Sequence, residues 1–198
     1  MNKNIQLLKR INEIGISFDN FNNNTNVKLS NNFVNDNPLS IKLLEYIKLN
    51  QKRTNRILKT YKPSEEIINA VSRISQKQTW LIITEDWCGD SAQIIPYIFK
   101  MTQLNKNIEL KIIYRDENID IIDQYLTNGG RAIPKIVVFD EIGNELFQWG
   151  PRPEVAKQLV KEWKESGLSK EVFIEKLHLW YGKDKGKTLE KEFLKYWF

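Results

Sequence analysis

A chain of 198 residues, 41% hydrophobic and 28% charged, can bury a sizeable core in one domain with appendages, and its balance excludes a disordered or fibrous class. The net charge of +5 is scattered rather than gathered into a stripe, so it reads as a solvated surface and nucleic acid is not expected as a partner. One cysteine excludes an internal disulfide, a single histidine beside it argues against a zinc site, and no stretch approaches the ~20 apolar residues that span a bilayer.

The first residues, Met1 to Gln6, hold no long apolar core, so no signal peptide is expected and the expected location is cytoplasmic, with a reduced thiol. Ile5, Leu8 and Ile11 or Ile14 share a face at helical spacing, which predicts a short amphipathic helix over residues 2–14. Residues 17–37 include Asn22-Asn23-Asn24. Asparagine prefers turns and caps to helix interiors, so this stretch predicts a loop. Asp36-Asn37-Pro38 marks a helix start. The helix over 39–61 should turn Ile41, Leu44, Ile47, Ile57 and Leu58 inward. Lys48, Lys52, Arg53 and Arg56 lie partly on one side of it, as a solvated face or as a flank for an acidic partner or thiol cofactor. Pro63-Ser64-Glu65-Glu66 opens a further helix, to about residue 75, with acids favouring its dipole.

Residues 80–85 read as the central buried strand, 88–104 as a helix and 108–114 as a second buried, parallel strand. In a parallel sheet ligands gather at the carboxyl ends of strands, which places Arg115 and Asp116 near Cys88. A short helix over 119–126 carries Asp120 and Asp123 to solvent, and Asn128-Gly129-Gly130 stops it. Strands over 135–140 and 145–149 flank a hairpin turn. A helix over 154–165 and two added helices over 169–181 and 188–197 follow. Phe173, Leu177, Trp180, Phe193 and Trp197 give the added pair a packing face, and His178 is a surface or packing residue. The division expected is 1–62, a helical extension; 63–166, an α/β domain; and 167–198, a second helical extension.

The chain is arranged around residues 80–101, where a strand, a sharp turn and a helix place Cys88 at a helix start. Unpaired N–H groups and a partial positive charge at that end favour thiolate over thiol, which predicts a lowered pKa and a nucleophile. Gly89 should let the backbone turn and leave the sulfur open, and Ser91 could donate a hydrogen bond to it. The alternative is a buried cysteine acting as a small hydrophobe.

Trp87-Cys88-Gly89-Asp90-Ser91 resembles the Trp-Cys-Gly-x-Cys active site of thioredoxins, with Ser91 at the second cysteine. Pro96 matches the proline that kinks the active-site helix of that family. Arg131-Ala132-Ile133-Pro134 resembles its cis-proline loop, and Gly150 matches a glycine lining the substrate groove. More narrowly, the chain resembles a bacterial thioredoxin-like family with an added helical N-terminal segment. The resemblance implies an α/β thioredoxin fold, a central mixed sheet flanked by helices, with helices added at both ends. It implies Cys88 and Ser91 as catalytic, and Trp87, Gly89, Asp90, Arg131, Ile133, Pro134 and Gly150 as substrate-binding. Arg131 would steady the thiolate or hold an anionic group, and the Ile133 backbone would pair with an extended substrate.

Three departures stand out. No resolving cysteine follows Cys88, Ile82 stands where a thioredoxin carries its buried acid, and Asp90 replaces a proline with a charge that opposes the thiolate, as Glu85 and Asp86 also would. The leading expectation is a single-cysteine thiol–disulfide oxidoreductase that forms mixed disulfides with protein or low-molecular-weight thiol partners, without a cofactor or metal. The alternative is a non-catalytic thioredoxin-fold module that binds a peptide or protein. Cluster binding by two chains ranks last, because no glutathione-binding signature is present.

Overall fold

The computed structural model describes residues 3–30 and 38–196. Its sheet is built on β1 (Gln78–Thr84), whose residues after the first are all buried. β2 (Ile108–Tyr114) pairs parallel to β1 on one side. β3 (Lys135–Asp140) pairs antiparallel on the other, followed by β4 (Glu145–Trp149), so the order is β2-β1-β3-β4. A strand interior to the sheet and covered on both faces needs an unbroken apolar run, and Trp80-Leu81-Ile82-Ile83 supplies it.

Alternation along β1 then separates two cores. Trp80 and Ile82 enter the larger one, with Ile94, Ile95 and Ile98 of α5 (Gly89–Thr102) and Ile136 and Val138 of β3. Leu81 and Ile83 enter the smaller one, where Leu7, Leu8 and Ile11 of α1 (Lys3–Ile14) meet Ile121 and Ile122 of α6 (Ile119–Ile122). Just past α1, Ile16 exchanges hydrogen bonds with Ile112 at 2.9 and 2.8 Å, which covers the open edge of β2.

The stretch 17–37 corrects the loop expectation, since Phe18–Ser30 form a helix, α2. Asparagine propensity is weak against tertiary packing. Phe18 is buried and stacks on Phe99 with centroids 4.2 Å apart, and Phe21 packs on Tyr114 at 5.6 Å. Asp36 and Asn37 lie outside the described residues, but α3 does run from Pro38 to Thr60. Ile47 and Ile57 face inward as expected, while Ile41 is exposed. α4 (Glu65–Ser72) ends before the expected residue 75, because Asn105 Nδ2 donates to the carbonyls of Val71 and Ile74 at 2.7 and 2.8 Å.

α7 (Glu154–Glu165) matches its expected bounds. α8 (Lys170–Asp184) continues past the expected end at 181, stopping where Lys185 takes the left-handed conformation. α9 (Lys187–Leu194) sends Phe193 into the larger core, fully buried and 5.7 Å from Trp80 and 5.6 Å from Trp149 by centroids. Trp149 is itself buried and donates Nε1–H to Glu192 at 2.7 Å. The C-terminal helices therefore complete the core, and Trp197, expected on their packing face, lies outside the described residues. The architecture is an α/β, thioredoxin-like fold with extra helices. Among the described residues no helix is long and apolar enough to cross a membrane.

Phe193→Ala should remove about 3–5 kcal/mol from the unfolding free energy, measured by urea denaturation. A loss under about 1 kcal/mol would mean that α9 is peripheral to the core.

Candidate functional site

β1 delivers the turn Glu85-Asp86-Trp87-Cys88 to the carboxyl end of the sheet, and Cys88 is the N-cap of α5. Its sulfur faces the loop before β3. The Ile133–Pro134 peptide is cis, and Cys88 Sγ donates to the Ile133 carbonyl at 3.5 Å. Gly150 fixes that loop from behind. It sits at φ +126°, and a Cβ there would fall 2.2 Å from the Pro134 carbonyl oxygen, so only glycine allows β4 to pass this close. The Gly150–Pro151 peptide is also cis.

The thiol corrects the expectation of a lowered pKa. Cys88 is 7% exposed, and burial, with a smaller push from the Asp90 charge, drives its pKa up to about 11. Hydrogen bonds from the Ser91 hydroxyl and from the backbone N–H groups of Ser91 and Asp90 pull the other way without prevailing. Ser91 in turn accepts from the Thr84 hydroxyl at 2.6 Å, which leaves its own proton directed to the sulfur. In front of these groups lies a cavity of ≈ 20 Å³, with room for about one water molecule. Cys88, Ser91, Glu85 and Asp86 wall one side; α2 and α3 close the other with Asn22, Thr25, Asn50 and Gln51. Lys28 of α2 pairs with Asp86 at 2.6 Å, and Asn50 Nδ2 donates to the Asp86 carbonyl at 3.1 Å. The helix that replaces the expected loop thus lies over the site.

Asp90 is nearly buried, and its carboxylate accepts from Arg152 Nε at 2.8 Å and Nη2 at 2.6 Å, and from the Tyr181 hydroxyl at 2.8 Å. Gly89 is expected to leave the sulfur open, but Cys88 is buried, and His178 of α8 occupies the free side of Gly89. A Cβ on Gly89 would lie 2.9 Å from His178 Cε1 and Nε2. Burial, with Arg53 and Arg152 nearby, pushes the His178 pKa down to about 3, so its ring is neutral.

The remaining expected residues are spread around this centre. Trp87 is half-buried under the Arg115 guanidinium, 5.1 Å from the ring centroid. Asp116 N–H donates to Glu85 at 2.9 Å, and Glu85 itself is raised by burial. Arg131 is drawn away from the thiol into an exposed pair with Asp123, at 2.6 and 2.9 Å. Asp120 is exposed, as expected, and there pairs with Arg10. Arg152, Tyr181 and His178 escape a reading of the sequence, because each reaches the site from more than 60 residues away and no local pattern marks it.

Comparison with known proteins gives one family match, a thioredoxin family model covering residues 38–164, a span that takes in α3. A solved Pseudomonas aeruginosa protein of unknown function is 22% identical over 75% of this chain and 83% of its own, with a TM-score of 0.57. An HIV epitope scaffold is 22% identical over 77% of this chain and 88% of its own, with a TM-score of 0.56. These similarities speak to the fold. Comparison with curated proteins finds no match.

The neutral state of His178 has a pH signature. Between pH ~6.5, where an unfolded histidine takes up its proton, and about 3, where the folded one does, acidification favours the unfolded chain. NMR titration of this single histidine should show the ring neutral at pH 5, and His178→Gln should flatten the fall of stability across that window. A folded-state pKa at or above 6.5 would contradict the packing of His178 on Gly89.

Proposed function

The chain belongs to the thioredoxin family, and on that premise we propose that it is a thiol–disulfide oxidoreductase working through one cysteine. The observation that carries this reading is the position of Cys88. It caps α5 with its sulfur 3.5 Å from the carbonyl of the residue before the cis proline. A disulfide entering along that loop would meet the sulfur end-on, with backbone groups of the loop free to pair with an extended chain once the S–H bond to Ile133 is given up.

The chemistry needs two exchanges. The Cys88 thiolate attacks one sulfur of a substrate disulfide, forms a mixed disulfide and expels the other sulfur as a thiolate. No second cysteine exists in the chain. An external thiol, from a protein or a small molecule, therefore attacks the substrate sulfur of the mixed disulfide and releases Cys88. The donors for the Cys88 thiolate are already in place in Ser91 and the first N–H groups of α5. Glu85 and Asp86 line the adjoining cavity and offer a route for the departing proton. With a pKa of about 11, only about one thiol in 10⁴ is ionised at pH 7. Exchange then depends on α2 lifting from the site. Trp87 lies half-buried in the thiol turn, and Gly150 holds the proline loop in register.

A second reading, a thioredoxin-fold module that binds peptides without chemistry, is favoured by one observation, the deep burial of the thiol.

Incubation with a small-molecule disulfide, read by intact mass, should give a single adduct that Cys88→Ser abolishes. Ser91→Ala should slow adduct formation at pH 7 by about tenfold, the equivalent of losing ~1.4 kcal/mol of a hydrogen bond to a charged sulfur. Absence of any adduct on the folded protein, with peptide binding retained, would overturn the redox reading in favour of the second.

A further inference from the structure

α3 and α8 run beside each other without filling the space between them. The groove they leave is ≈ 650 Å³, inside the ~300–1,000 Å³ range of small-molecule sites. Tyr46 and Leu49 from α3 and Ile174 and Leu179 from α8 give it an apolar part, among charged side chains of both helices. Leu49 is 44% and Leu179 59% exposed, area that an occupant would take out of water.

Its cationic lining includes Lys42 and Lys170 and two arginines one helical turn apart on α3, Arg53 and Arg56. Among the described residues neither arginine forms an ion pair. Each is steered instead by a neutral amide that is 3% exposed. Arg53 Nη1 donates to Asn50 Oδ1 at 2.9 Å, and Arg56 Nη2 donates to Gln93 Oε1 at 3.2 Å. Asn50 is anchored in turn on the Asp86 carbonyl, and Gln93 Nε2 lies 3.3 Å from His178 Nδ1. The nearby Asp90 carboxylate is committed to Arg152 and Tyr181. Both guanidiniums thus line the groove with one N–H each held by a buried amide. Burial and the Arg56 charge bring Arg53 down to about 10, the mark of a cation short of a counter-charge.

We propose that the α3–α8 groove binds a small organic anion, with its phosphate or carboxylate on Arg53 and Arg56 and its apolar body against Tyr46, Leu49 and Leu179. The planar guanidinium can engage two oxygens of a carboxylate or of a phosphate at once, and pre-positioned donors lower the ordering cost of binding. Glu171 and Glu175 on the opposite wall repel an extended acidic chain and leave room for one acidic group. The groove adjoins the thiol turn through His178 and Arg53 beside Gly89, and the proposal stands whether or not Cys88 is redox-active.

The test uses phenyl phosphate as probe, with phenylacetate as the carboxylate arm and inorganic phosphate and phenol as controls. His178 lines the groove and is the chain's one histidine, so its ring resonances report occupancy. Either aryl anion should shift them saturably, and whichever binds more tightly identifies the anion. Inorganic phosphate and phenol should bind at least about tenfold more weakly than phenyl phosphate, each lacking half of the recognition. Arg53→Gln with Arg56→Gln should weaken binding by about tenfold or more. Leu179→Asp, at an exposed position that places no demand on folding, should do the same with both arginines intact. No saturable shift with either aryl anion, or equal affinity in the Arg53/Arg56 variant, would overturn the proposal.

Discussion

One carboxylate, that of Asp90, ties two distant parts of the chain to the mouth of α5. It accepts from Arg152 in the segment between β4 and α7, and from Tyr181 in the middle of α8. Such a buried pair adds little net stability over apolar packing, but loss of one partner would leave an uncompensated charge, so the geometry is strongly enforced. With Arg152 fixed, the residues from Trp149 to Pro153 hold their course, and Gly150 can press on the Pro134 carbonyl. With Tyr181 fixed, α8 lies where His178 covers Gly89 and where its outer face meets α3 across the groove. One of the residues that depart from the thioredoxin pattern, Asp90, is therefore the one that docks α8 onto the site.

The electrostatics of Cys88 depend on Asp90 and, more strongly, on the packing of α2 and α3. A helix N-terminus, a serine hydroxyl and two N–H groups favour the thiolate, each by a modest amount. Burial beneath α2 and α3 and the Asp90 charge oppose it, and burial wins. The groups that would stabilise a thiolate are in place while solvent is kept out, the arrangement expected of a thiol protected in one state and competent in another. Lys28 is a link that holds α2 over the site, half-exposed itself but paired with an Asp86 carboxylate that is 2% exposed, so removing it leaves that carboxylate without its cation.

How much of this was legible in the sequence depended on the range of the interactions. The strand, turn and helix around Cys88 were readable, because Trp80-Leu81-Ile82-Ile83 must be buried on both sides and the cysteine falls at the register where the helix begins. Thioredoxin-like motifs supplied the proline loop and Gly150. α2 was not legible, because its asparagines argue for a loop and the contacts that hold it helical, Phe18 with Phe99 and Phe21 with Tyr114, span more than 80 residues. For the same reason the thiol pKa was misjudged in direction, since the local signal was the helix end and the deciding influence was burial by a helix that looked like a loop. The roles of His178, Arg152, Asn50 and Gln93 are set by tertiary placement alone.

The central claim is that Cys88 is a protected nucleophile, held un-ionised by the elements packed over it. Its alkylation rate against pH tests this most directly, measured in the natural chain and in Lys28→Met, which releases α2 from Asp86. The account predicts slow alkylation in the natural chain, still rising toward pH 11. It predicts faster reaction in the variant, by about fivefold or more at pH 7 if the latch carries ~1 kcal/mol, with an apparent pKa moving toward the free-cysteine value of ~8.5. Rapid alkylation of the natural chain with a pKa below that value, unchanged by Lys28→Met, would contradict it.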